Sequence, residues 1–259
     1  MKKAILVVSF GTSYVEQKKE SINPCIEAIR ERFPEWDVYE SFSSSFLRKR
    51  LLLEHNLKIS SPEESMALLK EKGYKYIIIQ PLFLIEGIEY NKLLELKNQY
   101  EGQSLSEGIK VAVGKALLST QKDYLKVVKE IEEVYSKLDT DLLILGHGTT
   151  HEAHKSYTNL QEMLDTTILN CMVTTLKDRC RLEQMPFKKD VVTIIPFMLV
   201  AGMHILRDVM GEHEESFKSG LEALGKEVRV IQKGLGSYRS TREVYITHIQ
   251  DVINEWKLT

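Results

Sequence analysis

The segment IIIQPLFLIEGIEY, residues 77–90, decides the fold, because VTIIPFMLVAGMHI, residues 192–205, repeats it at an offset of 115. Pro81 matches Pro196 and Gly87 matches Gly202. At the same offset Glu89 falls opposite His204. Each copy is a short continuous apolar run closed by proline and then glycine. That is the pattern of a strand buried on both faces, as in a parallel sheet, followed by a sharp turn.

Working outward, ILVVSFGTSY (residues 5–14) resembles DLLILGHGTTH (residues 141–151), with Gly11 and Thr12 matching Gly148 and Thr149 and Phe10 opposite His147. A third, looser pair is IKVAVGKALL (109–118) and EVRVIQKGLG (227–236). Three pairs in the same order point to a duplication. Apolar, β-branched runs mark strands at 4–8, 76–79, 110–113, 142–145, 191–195 and 228–231, with a weaker run at 36–41. Helix-length segments lie between them, at 16–33, 62–72, 90–99, 121–138 and 241–256. Strands alternating with helices give the α/β class. The expectation is two similar α/β halves, 1–139 and 140–259, each a parallel sheet flanked by helices, with a cleft between them. Periodicity leaves open which half the last helix packs on. Ligands of such sheets bind beyond the carboxyl ends of the strands.

The 259 residues are 43% hydrophobic and 28% charged, with a net charge of -2. This is an ordinary globular balance. It supplies no basic field for nucleic acid. No run approaches the ~18 apolar residues of a membrane span, and the first apolar run is too short for a signal peptide. Cys25, Cys171 and Cys180 are odd in number and show no CxxC spacing. A cytoplasmic protein without a disulfide framework or thiolate metal site is therefore expected. A homo-oligomer is compatible with the sequence, which does not decide the point.

Chemistry-bearing residues gather after the strands. His147 lies between Gly146 and Gly148, directly after a strand, where flanking glycines let backbone approach a ligand closely. A histidine bonded to local backbone is the alternative. Glu89 and His204 occupy equivalent places in the two halves. Imidazole and carboxylate suit cobalt, iron, nickel or zinc, and both accept protons. His151 follows His147 by four residues, and His154 follows His151 by three. A three-histidine site would need all three on one helix, but His147 is expected to precede it, leaving His151 and His154 at the rim or in solvent. Ser9, Phe10, Gly11 and Thr12 open the first helix and fit either ligand contact or capping. The GxxxxGK[ST] spacing is absent, as is a GxGxxG fingerprint after a strand. Arg48, Lys49 and Arg50 form a basic cluster that fits either a solvated helix face or the carboxylates of an acidic ligand.

MKKAILVVSFGTSY, LGHGTTH, GIEYNKL, PFMLVAGMHILRDVMG and the ending near GLGSYRSTREVYITHI together resemble the anaerobic, CbiK-type sirohydrochlorin cobaltochelatases of cobalamin biosynthesis, over nearly the whole chain. The resemblance implies a ferrochelatase-like fold of two α/β halves. It also implies a lyase-class enzyme that inserts Co²⁺ into an acidic tetrapyrrole, with the metal as substrate and no organic cofactor. His147, His204 and Glu89 are the metal-handling residues it implies, with Ser9, Phe10, Gly11 and Thr12 near the tetrapyrrole. Insertion of iron or nickel into a related tetrapyrrole is the nearest alternative, and a non-catalytic tetrapyrrole or metal carrier is the next.

Overall fold

The computed structural model describes residues 1–103, 108–135, 137–203 and 205–258, with the side chains of 102, 103 and 179–181 left aside. Among the described residues, eight strands form two parallel sheets. The first contains β1 (Lys3–Ser9), β2 (Asp37–Phe42), β3 (Tyr76–Pro81) and β4 (Lys110–Val113), in the order β2-β1-β3-β4. The second contains β5 (Asp141–Gly146), β6 (Cys171–Thr175), β7 (Val191–Phe197) and β8 (Glu227–Val230), in the order β6-β5-β7-β8. The order is the same in both sheets. So is the register: Val8 pairs with Pro81, and Leu145 pairs with Pro196. These are the repeat positions read from the sequence, so the duplication is visible hydrogen bond by hydrogen bond.

The helices are α1 (Val15–Gln17), a π turn (Lys18–Ile22) running straight into α2 (Asn23–Arg32), α3 (Ser45–His55), α4 (Pro62–Glu71), α5 (Ile88–Gln103), α6 (Gln121–Tyr135), α7 (Lys155–Asp165), α8 (Phe217–Ala223) and α9 (Arg239–Glu255). Local signals fix several boundaries. Ser61 and Glu64 form a reciprocal capping box ahead of α4, with Pro62 in its first turn. A second π turn, Ile205–Val209, follows β7.

Side chains alternate across each strand. Ala4, Leu6 and Val8 face one core with Met66 of α4 and Leu93 of α5, while Ile5 and Val7 face another. In the second sheet Leu143 and Leu145 pack with Phe217 and Leu221 of α8. Leu142 and Ile144 turn to the same core that receives Ile5 and Val7. That shared core is filled by α2, α6, α7 and α9, so one apolar layer joins both sheets.

The last helix crosses over. α9 packs on α2, α6 and β3, and the Trp256 ring beyond it lies 5.8 Å from that of Tyr76, with Lys110 Nζ 5.3 Å above it. Its buried face is Val244, Tyr245, His248, Ile249, Val252 and Ile253. None of the helices among the described residues is long and apolar enough to cross a membrane.

Candidate metal-handling cleft

Residues 146–148 form the loop that carries His147 at the carboxyl end of β5. Both glycines are required there. A Cβ on Gly146 would stand 2.2 Å from Cε1 of Tyr157, so the α7 tyrosine packs flat against bare backbone. Gly148 has φ of +78°, and a Cβ there would meet Thr175 Oγ1 at 2.5 Å. The loop therefore turns in the left-handed region while pressed against the end of β6. Burial raises the Tyr157 pKa, and backbone contacts to Gly148 and His147 only partly oppose it, so its phenol stays neutral.

His147 itself is exposed. Its Nδ1 lies 3.0 Å from the Gly148 carbonyl oxygen. A carbonyl only accepts, so Nδ1 carries a proton, and in the neutral ring Nε2 holds the lone pair. This is the tautomer a metal ligand needs.

Glu89 occupies the first turn of α5, two residues after buried Gly87. Its carboxylate is partly exposed and pairs with Lys92 Nζ at 2.5 Å. A negative group at this position is favoured by the helix dipole. Beside it, Glu86 accepts from Ser119 Oγ at 2.7 Å. Burial, helped by the Glu86 charge, pushes the Tyr90 phenol up to about 12.

Asn91 links α5 to the His147 loop. His151 Nδ1 accepts from the Ala153 N–H at 3.1 Å, capping the short 3-10 turn Glu152–His154. In the neutral ring Nε2 must then carry the proton, and it lies 3.2 Å from Asn91 Nδ2, so the bond needs the carboxamide turned over. The amide oxygen is the atom able to accept it. Two residues beyond Glu89, the first half thus touches the second, four residues beyond His147.

His154 points elsewhere. Its ring lies 5.5 Å from that of Tyr157, and its Nε2 is 3.6 Å from Asp178 Oδ2, which also accepts from Thr175 Oγ1 at 2.7 Å. His147 precedes the helical turn, so the three histidines do not share a helix face. Among the described residues no group of three His, Cys, Asp or Glu side chains is poised around a metal. His204 lies outside the described residues. Its neighbours are placed by the first half: Gly202 stands against Thr12, and Tyr14 Oη is 3.5 Å from Met203 Sδ.

Ser9, Phe10, Gly11 and Thr12 divide by role. Ser9 is buried. Gly11 has φ of +100°, and a Cβ there would collide with the Phe42 ring at 2.4 Å. Thr12 Oγ1 accepts from the Tyr14 N–H at 3.1 Å, whereas the N-cap of α1 is Tyr14, with no side-chain cap. The expected capping hydroxyl is therefore an adjacent turn. Phe10 is 51% exposed and is the member free to meet a ligand.

Residues 3–254 match the model of the cobalt chelatase (CbiK) family. The chain belongs to that family. The sirohydrochlorin cobaltochelatase of Salmonella typhimurium is 28% identical over 262 residues, covering 98% of this chain and 97% of the relative. The sirohydrochlorin cobaltochelatase of Nitratidesulfovibrio vulgaris is 26% identical, covering 98% and 91%. The fold is shared with SirB from Bacillus subtilis with Fe³⁺ (TM-score 0.65, 15% identity, 99% and 98% covered). It is shared equally with the cobalt complex of the subspecies spizizenii sirohydrochlorin chelatase SirB (TM-score 0.67, 13% identity, 99% and 97% covered).

Within this cobalt chelatase family member, the sequence reading passed over Tyr157 and Asn91. Tyr157 stands in no motif, and Asn91 lies within GIEYNKL without a spacing that singles it out. Their roles come from contacts eleven and sixty residues away, to Gly146 and His151. A groove of about 640 Å³ between α7 and β6 includes Tyr157, His154 and Asp178 but not His147. Gln161 bonds the β6 edge inside it, from Nε2 to the Cys171 carbonyl at 2.9 Å and from the Val173 N–H to Oε1 at 2.5 Å. The groove is thus the closed-off edge of a sheet. Burial pushes the Cys25 and Cys171 thiols up to about 12, which keeps them protonated and poor ligands.

Gly148→Ala tests the loop geometry. Left-handed backbone costs a non-glycine residue about 1–2 kcal/mol, and the overlap with Thr175 adds to it. A urea unfolding midpoint at the wild-type value would contradict this account of the loop.

Proposed function

We propose that this chain is a cytoplasmic sirohydrochlorin cobaltochelatase, inserting Co²⁺ into an acidic tetrapyrrole in cobalamin biosynthesis. Family membership over residues 3–254 carries the reading. The activity is that of the relatives aligned over nearly their whole length. We take 1–139 and 140–259 as the two halves, with α9 returning to the first.

The task is to exchange two pyrrole N–H protons for one metal ion. His147 Nε2, with its lone pair held by the Nδ1 bond to Gly148, binds the incoming ion. His204 and Glu89 complete the set in this reading, and Glu89 takes up a departing proton. Lys92 lowers the cost of holding the Glu89 charge until the metal arrives. The metal is substrate, so the ligands must release it, and three mixed donors suit a transient site better than a thiolate cage. Ligation requires neutral imidazole, so insertion weakens in acid.

Anaerobic incubation of the purified protein with sirohydrochlorin and Co²⁺, followed by the macrocycle's absorbance against an enzyme-free control, is the test. Fe²⁺ and Ni²⁺ run in parallel. Turnover with cobalt in preference to the others is the expected result. Tight binding without acceleration would identify a carrier instead.

A further inference from the structure

We propose that the outer face of α3 is the substrate's docking rim, where Phe46 and Leu53 meet the apolar macrocycle and Arg50 takes one of its carboxylates. This rests on the tetrapyrrole reading above and adds residues to it.

The first observation is that α3 is turned the wrong way for a packing helix. Only Leu51 is fully buried, while Phe46 is 64% and Leu53 84% exposed. Helices of globular proteins turn their apolar stripe inward, and clustered exposed apolar residues mark a binding surface. Phe46, Arg50 and Leu53 stand at i, i+4 and i+7, so they share one face. The Arg50 guanidinium lies 5.9 Å from the centroid of the Phe46 ring. A flat apolar plate with a cation beside it complements a flat macrocycle edged with carboxylates.

The second observation is position. α3 begins at the carboxyl edge of the first sheet, where the Ser43 N–H bonds the Ser9 carbonyl at 2.9 Å and the Ser44 N–H bonds the Phe10 carbonyl at 3.3 Å. Phe10 is the exposed residue of that edge. Tyr14, four residues past Phe10, meets Met203 of the second half through its hydroxyl at 3.5 Å. The face therefore borders the mouth of the cleft.

The third is chemistry. Arg50 already holds a carboxylate in a fork, Nε to Glu54 Oε1 at 2.7 Å and Nη2 to Oε2 at 3.1 Å. Both partners are on the surface, and Glu54 can return to water. A substrate carboxylate can replace it with the same paired hydrogen bonds, so no charge is left unpaired. Arg48 is placed differently: it is tucked in towards Glu64 at 3.5 Å. Of the two arginines in the basic cluster, Arg50 is the one suited to this exchange.

The experiment uses the full chain and two readouts: steady-state cobalt insertion, and fluorescence quenching of metal-free sirohydrochlorin. Arg50→Ala is expected to raise the tetrapyrrole KM and Kd about tenfold, equivalent to about 1.4 kcal/mol. The cobalt KM and the saturated rate should stay within about twofold, taking a charge-assisted bond as lost in ground state and transition state alike. Glu54→Gln, which frees Arg50, should lower the tetrapyrrole KM. Phe46→Ala should raise it. For the methyl-esterified macrocycle, which has no carboxylates, Arg50→Ala and wild type should be equal. Unchanged tetrapyrrole Kd in Arg50→Ala and Phe46→Ala, or an Arg50 effect that persists with the ester, overturns the proposal. So does sedimentation showing that wild type is a dimer that Leu53→Ala dissolves, since the face would then be covered by a second copy. Wild type that quenches but does not turn over refutes the chelatase reading while the Kd comparison still decides Arg50. Wild type that neither binds nor turns over refutes both.

Discussion

His147→Ala is expected to abolish cobalt insertion while leaving the fold and its unfolding midpoint unchanged. Losing an outer partner of a metal ligand typically costs 10–100-fold in affinity or activity. Loss of the ligand itself should exceed that, so a drop of more than ~100-fold is expected. The fold should survive because the ring is exposed and its Nδ1 bonds a carbonyl of the same loop. What shapes the loop is Tyr157 against Gly146 and Thr175 against Gly148, and both remain in the variant.

His147→Gln sharpens the test. A carboxamide offers an oxygen to the metal but no imidazole nitrogen, so activity should stay near the alanine level at low cobalt. The deciding measurement is the rate against cobalt concentration at saturating tetrapyrrole. A rise in the cobalt KM with partial recovery at high metal assigns His147 to metal capture. Full activity in His147→Ala would remove this residue from the chemistry and leave the Gly-His-Gly loop as a purely structural turn.

Much of this was legible in the chain, and the reasons differ by element. Strands β1, β3, β5 and β7 announce themselves because both faces are buried, which forces continuous apolar runs such as residues 4–8 and 142–145. The repeat was legible because equivalent strands need the same proline and glycine at their ends. Strand β6 (CMVTT) was not singled out, since an edge strand of five residues with two threonines carries little hydrophobic signal. Helix α3 escaped for the opposite reason: its large apolar residues face out, so helical periodicity does not report them. The crossing of α9 was invisible because an amphipathic pattern names a buried face without naming what buries it. At the cleft, motif and symmetry are what single out His147 and Glu89 as candidates. Tyr157, Asn91 and Tyr14 act through contacts distant in sequence, and no local spacing encodes those.

Asp123→Ala is the second large effect, and it concerns what holds α9 on the first half. His248 of α9 and Asp123 of α6 are almost fully buried, with Nε2 3.2 Å from Oδ1, an ion-pair distance in off-line hydrogen-bond geometry. His248 Nδ1 lies 3.1 Å from the Lys115 carbonyl. Thr120 donates to Asp123 Oδ2 twice, from its N–H at 2.8 Å and its hydroxyl at 2.7 Å. Removing one partner of a buried pair typically costs about 3–5 kcal/mol, because the other is left unpaired in low dielectric. Asp123→Ala should lose about that much in urea unfolding. Asp123→Asn should lose distinctly less, since its amide oxygen still accepts from Thr120 and its N–H can donate to the lone pair of a neutral imidazole. Acid provides an independent check. Burial would raise the Asp123 pKa, but the adjacent His248 ring and the Thr120 bonds outweigh it and hold the carboxyl below its ordinary range. The unfolded carboxyl titrates near ~3.9. A depressed folded value means that the contribution is complete above that pH and is lost as pH falls through the folded value. Wild type should therefore shed stability more steeply than Asp123→Asn below about pH 4, where the unfolded carboxyl gains its proton first. Parallel acid profiles, or equal midpoints for the alanine and asparagine variants, would mean that apolar packing of Tyr245, Ile249 and Ile253 alone secures the helix.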